Sequence, residues 1–147
     1  MSGLRCILTL FLLVCSFPAV HAQEGLRAAA RGNLQAVCED PDGLRWAVTD
    51  AGEILHSADG SAWTVLDFNE AYAGYYPQMD FRAVAAGGGA VMVAGLDPDG
   101  HLAVYTSSRG TVWSARSLDY TEEGERRELD VTPCSLSYDP LRGSFFL

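Results

Sequence analysis

The chain contains no lysine. Its ten basic residues are all arginine and stand against 19 acidic ones, for a formal net charge of −9 at pH 7. A surface this acidic repels nucleic acid and anionic lipid headgroups, so no nucleic-acid partner is expected. Cysteine is scarce too. Of four, Cys6 and Cys15 fall in the first 22 residues, leaving Cys38 and Cys134. Two thiols are too few for a disulfide framework. An exported chain would permit a bridge between them, but sequence does not say whether they meet. His56 and His101 stand singly, with no cysteine or second histidine at zinc-ligand spacing. No Asp-x-Asp-x-Asp-Gly loop with a distal glutamate is present for calcium. Gly87-Gly88-Gly89 lacks the lysine and the strand-to-helix setting of a phosphate loop. No Ser-His-Asp set emerges from spacing. These absences leave no metal or cofactor expected.

A long apolar run is also missing. The longest, CILTLFLLVCSF over residues 6–17, falls short of the roughly 20 residues a membrane span requires. It follows a short segment with one positive charge, Arg5, and precedes Val20-His21-Ala22. That order of charged, apolar and small residues is a secretory signal peptide over 1–22, with cleavage after Ala22. The valine before Cys15 does not suit lipid attachment. The expectation is an exported protein, in the extracellular space, cell envelope or periplasm, with no membrane insertion after cleavage. Its mature chain of 23–147 is long enough for one small domain.

What the sequence does have is a motif that occurs twice, 50 residues apart. SADGSAW covers 57–63 and SSRGTVW covers 107–113. Ser57, Gly60 and Trp63 recur as Ser107, Gly110 and Trp113. A period of this size marks an array of supersecondary units such as propeller blades, in which one unit buries its apolar faces only against neighbours.

The rest of the chain fits such an array. Residues 23–33 read as a lead-in with some helical propensity. Short β-runs at 34–38, 44–49, 53–56 and 63–68 follow, separated by Asp40-Pro41-Asp42-Gly43, by Asp50-Ala51-Gly52 and by the motif, all turn chemistry. They predict a four-stranded antiparallel blade over 34–68. A long connection, 69–79, carries Tyr72, Tyr75 and Tyr76. Runs at 81–85, 90–95, 101–106 and 113–118 make a second blade over 81–118. The charged stretch TEEGERRELD, 121–130, reads as a solvated, mobile connection. A third unit opens at 131–147, with an inner strand within 131–138, a turn at Asp139-Pro140 and a new strand from Ser144. The predicted fold class is therefore all-β: a partial β-propeller of two four-stranded blades and the start of a third. Two and a half blades do not close a ring of the usual four to eight, so further blades or self-association are expected.

Around the motif the chain resembles the BNR/Asp-box repeat family, β-propellers with a Ser-x-Asp-Gly-x-x-Trp hairpin. The stretch WAVTDAGEILHSADGSAWTV, 46–65, is similar to secreted propellers related to the photosystem II assembly and stability factors. The resemblance covers 34–147 and implies a structural box of Ser57, Asp59, Gly60, Trp63, Ser107, Gly110 and Trp113, lying away from any ligand face. The second copy departs from the pattern, with Arg109 where the acid belongs.

Sialidases are the enzymes this resemblance brings into question. They use an arginine cluster, a tyrosine–glutamate pair and an acid-base aspartate. Arg27, Arg82, Arg116, Tyr105 and Glu53 match by type, but none sits in an Arg-Ile-Pro-like motif. The pairs Asp40/Asp42 and Asp97/Asp99 would suit a glycosidase by number, yet both sit in Asp-Pro-Asp-Gly turn signatures. The function read from the sequence is a non-enzymatic exported binding or scaffold module for protein or glycan, with Tyr72, Tyr75 and Tyr76 as a possible binding loop. The alternative is the N-terminal fragment of a larger extracellular Asp-box glycoside hydrolase, sialidase-like or other.

Overall fold

The computed structural model describes residues 24–129 and 131–147. The signal-peptide expectation for 1–22 lies outside them. Among the described residues no helix is long and apolar enough to cross a membrane.

The fold is all-β and its sheets are open and antiparallel. A helical segment, α1, covers 24–29. Sheet I runs β1 (Leu34–Glu39), β2 (Arg45–Thr49), β3 (Glu53–Ser57) and β4 (Thr64–Asp67), paired in that order. One helical turn, α2 (Phe68–Ala71), opens the link to sheet II. Sheet II repeats the plan with β5 (Asp80–Gly87), β6 (Ala90–Leu96), β7 (Leu102–Ser107) and β8 (Ser114–Arg116). All eight expected strands are present, with no end shifted by more than two residues, and each motif lies between the third and fourth strand of its sheet.

Two regions differ from expectation. The charged stretch is a hairpin, β9 (Asp119–Glu122) with β10 (Glu125–Glu128), rather than an unstructured connection. Glu123 and Gly124 both have positive φ (52° and 85°), the geometry a two-residue hairpin turn demands. Arg126 pairs with Asp119 and Arg127 with Glu122 across its strands. The third unit is shorter than expected: β11 (Ser137–Asp139) and β12 (Ser144–Phe146) form a second hairpin, so β12 pairs back to β11.

The turns explain why the strands stop where they do. In both Asp-Pro-Asp-Gly segments the leading aspartate folds back on the chain. Asp40 Oδ1 accepts from the N–H groups of Asp42 and Leu44 at 2.9 Å each. Asp97 Oδ1 accepts from those of Asp99 at 2.9 Å and His101 at 2.8 Å. Gly43 and Gly100 close the two turns at φ 85° and 87°.

The sheets stack face to face, and three apolar clusters mark the layers. The largest lies between sheets I and II. It joins Trp46, Val48, Ile54 and Phe68 to Met79, Phe81, Val93, Tyr105 and Trp113. A second cluster lies on the far side of sheet I, where Leu26 of α1 covers Ala47 and Leu55. A third lies on the far side of sheet II, where Leu136 packs against Ala83, Ala94 and Val104. Both faces of each sheet are thus apolar, which is why β2 reads as an almost unbroken buried run.

Candidate functional site

The two motif turns share one geometry. The hydroxyl of Ser57 accepts from Gly60 N–H at 2.8 Å, and that of Ser107 accepts from Gly110 N–H at 2.8 Å. The glycines sit at φ 78° and 73°, a region that strains any residue with a Cβ. The indole N–H of Trp63 donates to Gly60 O at 3.0 Å, and that of Trp113 to Gly110 O at 3.2 Å. Serine, glycine and tryptophan therefore form one self-contained clip in each sheet.

The fourth motif position separates them. Asp59 Oδ1 accepts from Ser61 N–H at 2.8 Å, Ala62 N–H at 3.0 Å and the Ser57 hydroxyl at 3.1 Å. Those donors, the Ala62 N–H foremost, hold its carboxyl well below the usual carboxylate range. Arg109 offers no acceptor, and only its backbone N–H joins the turn, to Ser107 Oγ at 3.3 Å.

Burial distinguishes the tryptophans as well. Trp113 is 2% exposed in the layer between the sheets. Trp63 is only half-buried. The reason is the neighbour: a full sheet lies over Trp113, whereas only the short helix α1 lies beside Trp63.

The tyrosines of 69–79 divide. Tyr75 is 85% exposed. Tyr72 and Tyr76 turn inward and stack on Phe68, with ring centroids 4.7 and 5.8 Å away. The Tyr72 hydroxyl accepts from Trp113 N–H at 2.9 Å, and the Tyr76 hydroxyl donates to Trp113 O at 3.4 Å. Asn69 fastens the segment at its base. Its amide donates to Ala51 O and Met79 O, and its oxygen accepts from Met79 N–H at 2.7 Å. The segment is a strut that ties sheet I to the second motif turn, with one tyrosine left facing solvent.

The sialidase-type residues do not assemble. Tyr105 is buried, with its hydroxyl 3.7 Å from Met79 Sδ, and burial pushes its pKa up to about 12. Arg116 lies on β8, where its Nε donates to Thr106 Oγ1 at 2.9 Å. Its register opposite Val104 puts it on the sheet face away from Tyr105. Arg82 pairs with Asp80, and Arg27 is exposed. Glu53 is fully buried on β3. It accepts from the N–H groups of Arg31 and Gly32 at 3.0 Å, from the Arg31 guanidinium at 3.0 Å and from Thr49 Oγ1 at 3.1 Å. Burial opposes its charge, but these donors, Gly32 N–H first, outweigh it and hold its pKa below the ordinary value. Arg31 also pairs with Asp67. This clasp went unread in the sequence, although an acid flanked by apolar strand neighbours was its one visible sign.

One cleft gathers several elements. It encloses about 350 Å³ between the β1–β2 turn, the Gly87-Gly88-Gly89 turn and the second motif turn. Asp40 and Asp42 line one wall, Ser108 and Arg109 the other, and Trp46 is among the lining residues. The guanidinium of Arg109 has no partner among the described residues. The indole N–H of Trp46, 4% exposed, also lacks one. Cys38 lies on β1 beside this end, its thiol pushed up to about 11 by burial and then by Asp40. Both Cys38 and Cys134 are free thiols. On the opposite end of sheet II, one ligand atom each of Asp97, Asp99 and His101 come within 4.8 Å of one another. Asp97 already spends one oxygen on the turn, and His101 Nδ1 sits 3.5 Å from the other.

Open antiparallel sheets of four strands define the class of this protein as all-β. No family model, curated protein or solved structure matches the chain.

Proposed function

We propose that this chain is an exported, non-enzymatic binding module of the Asp-box β-propeller type, two blades and the start of a third, that uses the cleft to hold an anionic group of a protein or glycan partner. The observation that carries this reading is Arg109. It replaces the turn-forming acid, leaves its guanidinium unpaired and places it on the wall of the cleft. A guanidinium is suited to bidentate recognition of a carboxylate. The turns on either side are fastened by their own hydrogen bonds, and preformed walls reduce the ordering cost of binding. A non-enzymatic role is further supported by Glu53, Tyr105 and Asp59, each of which is tied into the fold by the contacts above.

The test is a binding screen of the mature chain against acidic glycans and acidic peptides, followed by titration. Arg109→Ala is expected to weaken any hit at least about tenfold, roughly 1.4 kcal/mol, without lowering the melting temperature. Unchanged affinity in Arg109→Ala would remove the cleft from the reading. Hydrolysis of a fluorogenic sialoside or other glycoside, lost in Glu53→Gln while the protein stays folded, would overturn the non-enzymatic role.

A further inference from the structure

The outer face of sheet II is covered at one end and open at the other. Leu118 and Leu136 pack on Ala83, Ala94 and Val104. Beyond them the face opens into a groove of about 500 Å³, lined by Met92 and Arg116 of the sheet, Val112 of the second motif turn and Phe145 of the third hairpin. Met92 is half-buried and Val112 is 71% exposed. Phe145 packs on Tyr138, with ring centroids 5.0 Å apart. Tyr138 in turn lies on Gly87 and Gly88, so closely that a Cβ on either would collide with it. Ala90 and Ser108 line both this groove and the Arg109 cleft, so the two recesses meet at the second motif turn.

Each recess has one arginine without an acid partner. Among the described residues Arg31, Arg45, Arg82, Arg126, Arg127 and Arg142 each pair with a carboxylate. Arg109 and Arg116 do not. Arg116 engages only its Nε, which donates to Thr106 Oγ1 at 2.9 Å. That bond anchors the side chain and leaves its two terminal nitrogens for a ligand. Val104, its cross-strand partner, stands three residues before Ser107 on β7, about 10 Å along the strand. Arg109 lies just past Ser107 in the turn. In an extended peptide, residues i, i+2 and i+4 share one side and span about 13 Å, a length that reaches from one arginine to the other.

We infer that the two recesses form one trough for an extended acidic peptide in which two carboxylate side chains flank an apolar one. Arg109 and Arg116 take the carboxylates, and the groove of Met92, Val112 and Phe145 takes the apolar side chain. The inference rests on the proposed function, whose anion site at Arg109 it extends. A guanidinium offers a carboxylate two parallel N–H donors. Asp40 and Asp42 on the far wall of the cleft repel further negative charge there, which suits spaced acids rather than a block of them. The groove favours a peptide over an acidic glycan. Its apolar lining matches a hydrocarbon side chain, whereas a sugar ring would set hydroxyls against groups that cannot bond them.

Calorimetric titration of the mature chain with the peptide acetyl-Asp-Gly-Leu-Gly-Asp-amide tests it. Replacing either peptide Asp by Asn, or its Leu by Ser, is expected to weaken binding at least about tenfold. Arg116→Ala and Val112→Ser, both at exposed positions, are expected to weaken it likewise. Arg27→Ala removes the same charge from the exposed side of α1 and is expected to change nothing. The pairing decides the geometry: one of the two Asn peptides is expected to lose no further affinity in Arg116→Ala, and the other none in Arg109→Ala. No binding of the peptide by the parent chain overturns the inference. So does a loss in Arg27→Ala as large as that in Arg116→Ala, or binding of trigalacturonate with the same dependence on both arginines and Val112. An acidic ligand that depends on Arg109 but not on Arg116 would remove the trough and leave the binding reading standing. Dependence on neither would remove both.

Discussion

A single position shows how far one side chain reaches in this fold. Asp59 supplies three hydrogen-bond acceptances to its turn and Arg109 supplies none at the same place. Arg109→Asp is therefore expected to raise the melting temperature by a few degrees, while removing the proposed ligand group from the cleft. Differential scanning calorimetry checks the first effect and titration the second. The tryptophans differ in a related way. Trp113→Ala is expected to cost about 3–5 kcal/mol, the range for a buried aromatic, and Trp63→Ala clearly less, as read from urea unfolding. The sign of the pH dependence follows from the carboxylates. Those of Glu53, Asp50, Asp59, Asp67 and Asp97 are all held below their ordinary values of 4.5 and 3.8. Stability from a depressed carboxylate is present above its unfolded pKa and is lost as pH falls through the folded one. The protein is thus expected to lose stability progressively as pH falls below the ordinary carboxylate values. Glu53→Gln is expected to be less stable at pH 7 and to show a shallower acid decline. Equal slopes for variant and parent would detach the clasp from the acid response.

Elements were legible where turn chemistry and strand alternation coincided. Asp-Pro-Asp-Gly announces its own hydrogen bonds, and the repeated serine, glycine and tryptophan set the third and fourth strands of both sheets. The 119–128 hairpin was hidden because its strands bury nothing: both are exposed along their length, so no apolar alternation marks them. Its backbone ladder, the Glu123-Gly124 turn, the Leu129 N–H to Leu118 O bond and the cross-strand arginine–acid pairs hold it. Its amides are expected to exchange with deuterium far faster than those of β2 and β6, which carry buried runs. The 69–79 strut was half legible. Its tyrosines stood out, but their inward turn depends on Phe68 and on Trp113, 37 to 41 residues away in sequence. Tyr72→Phe is expected to cost about 0.5–1.5 kcal/mol, the scale of one hydrogen bond, measured by urea unfolding. The clasp of Glu53 and the cleft at Arg109 were illegible for the same reason. Each joins groups that only tertiary packing brings together.

At the scale of the molecule the layers are continuous: α1, sheet I, sheet II and the third hairpin each cover a face of the next. The net charge of −9 acts against that compaction through self-repulsion, and added salt screens it within a Debye length of about 10 Å at 0.1 M. Moderate sodium chloride is therefore expected to raise the urea unfolding midpoint, because exposed surface pairs each contribute little.

The unequal cover over the two motif tryptophans also has an optical consequence. Trp46 and Trp113 are buried, 4% and 2% exposed, whereas Trp63 is half-buried beside α1. The intrinsic fluorescence of the native protein thus divides into a shielded pair and one accessible emitter. Acrylamide quenching of that accessible fraction reads the seating of residues 24–31 directly, without a label and in the unmodified chain.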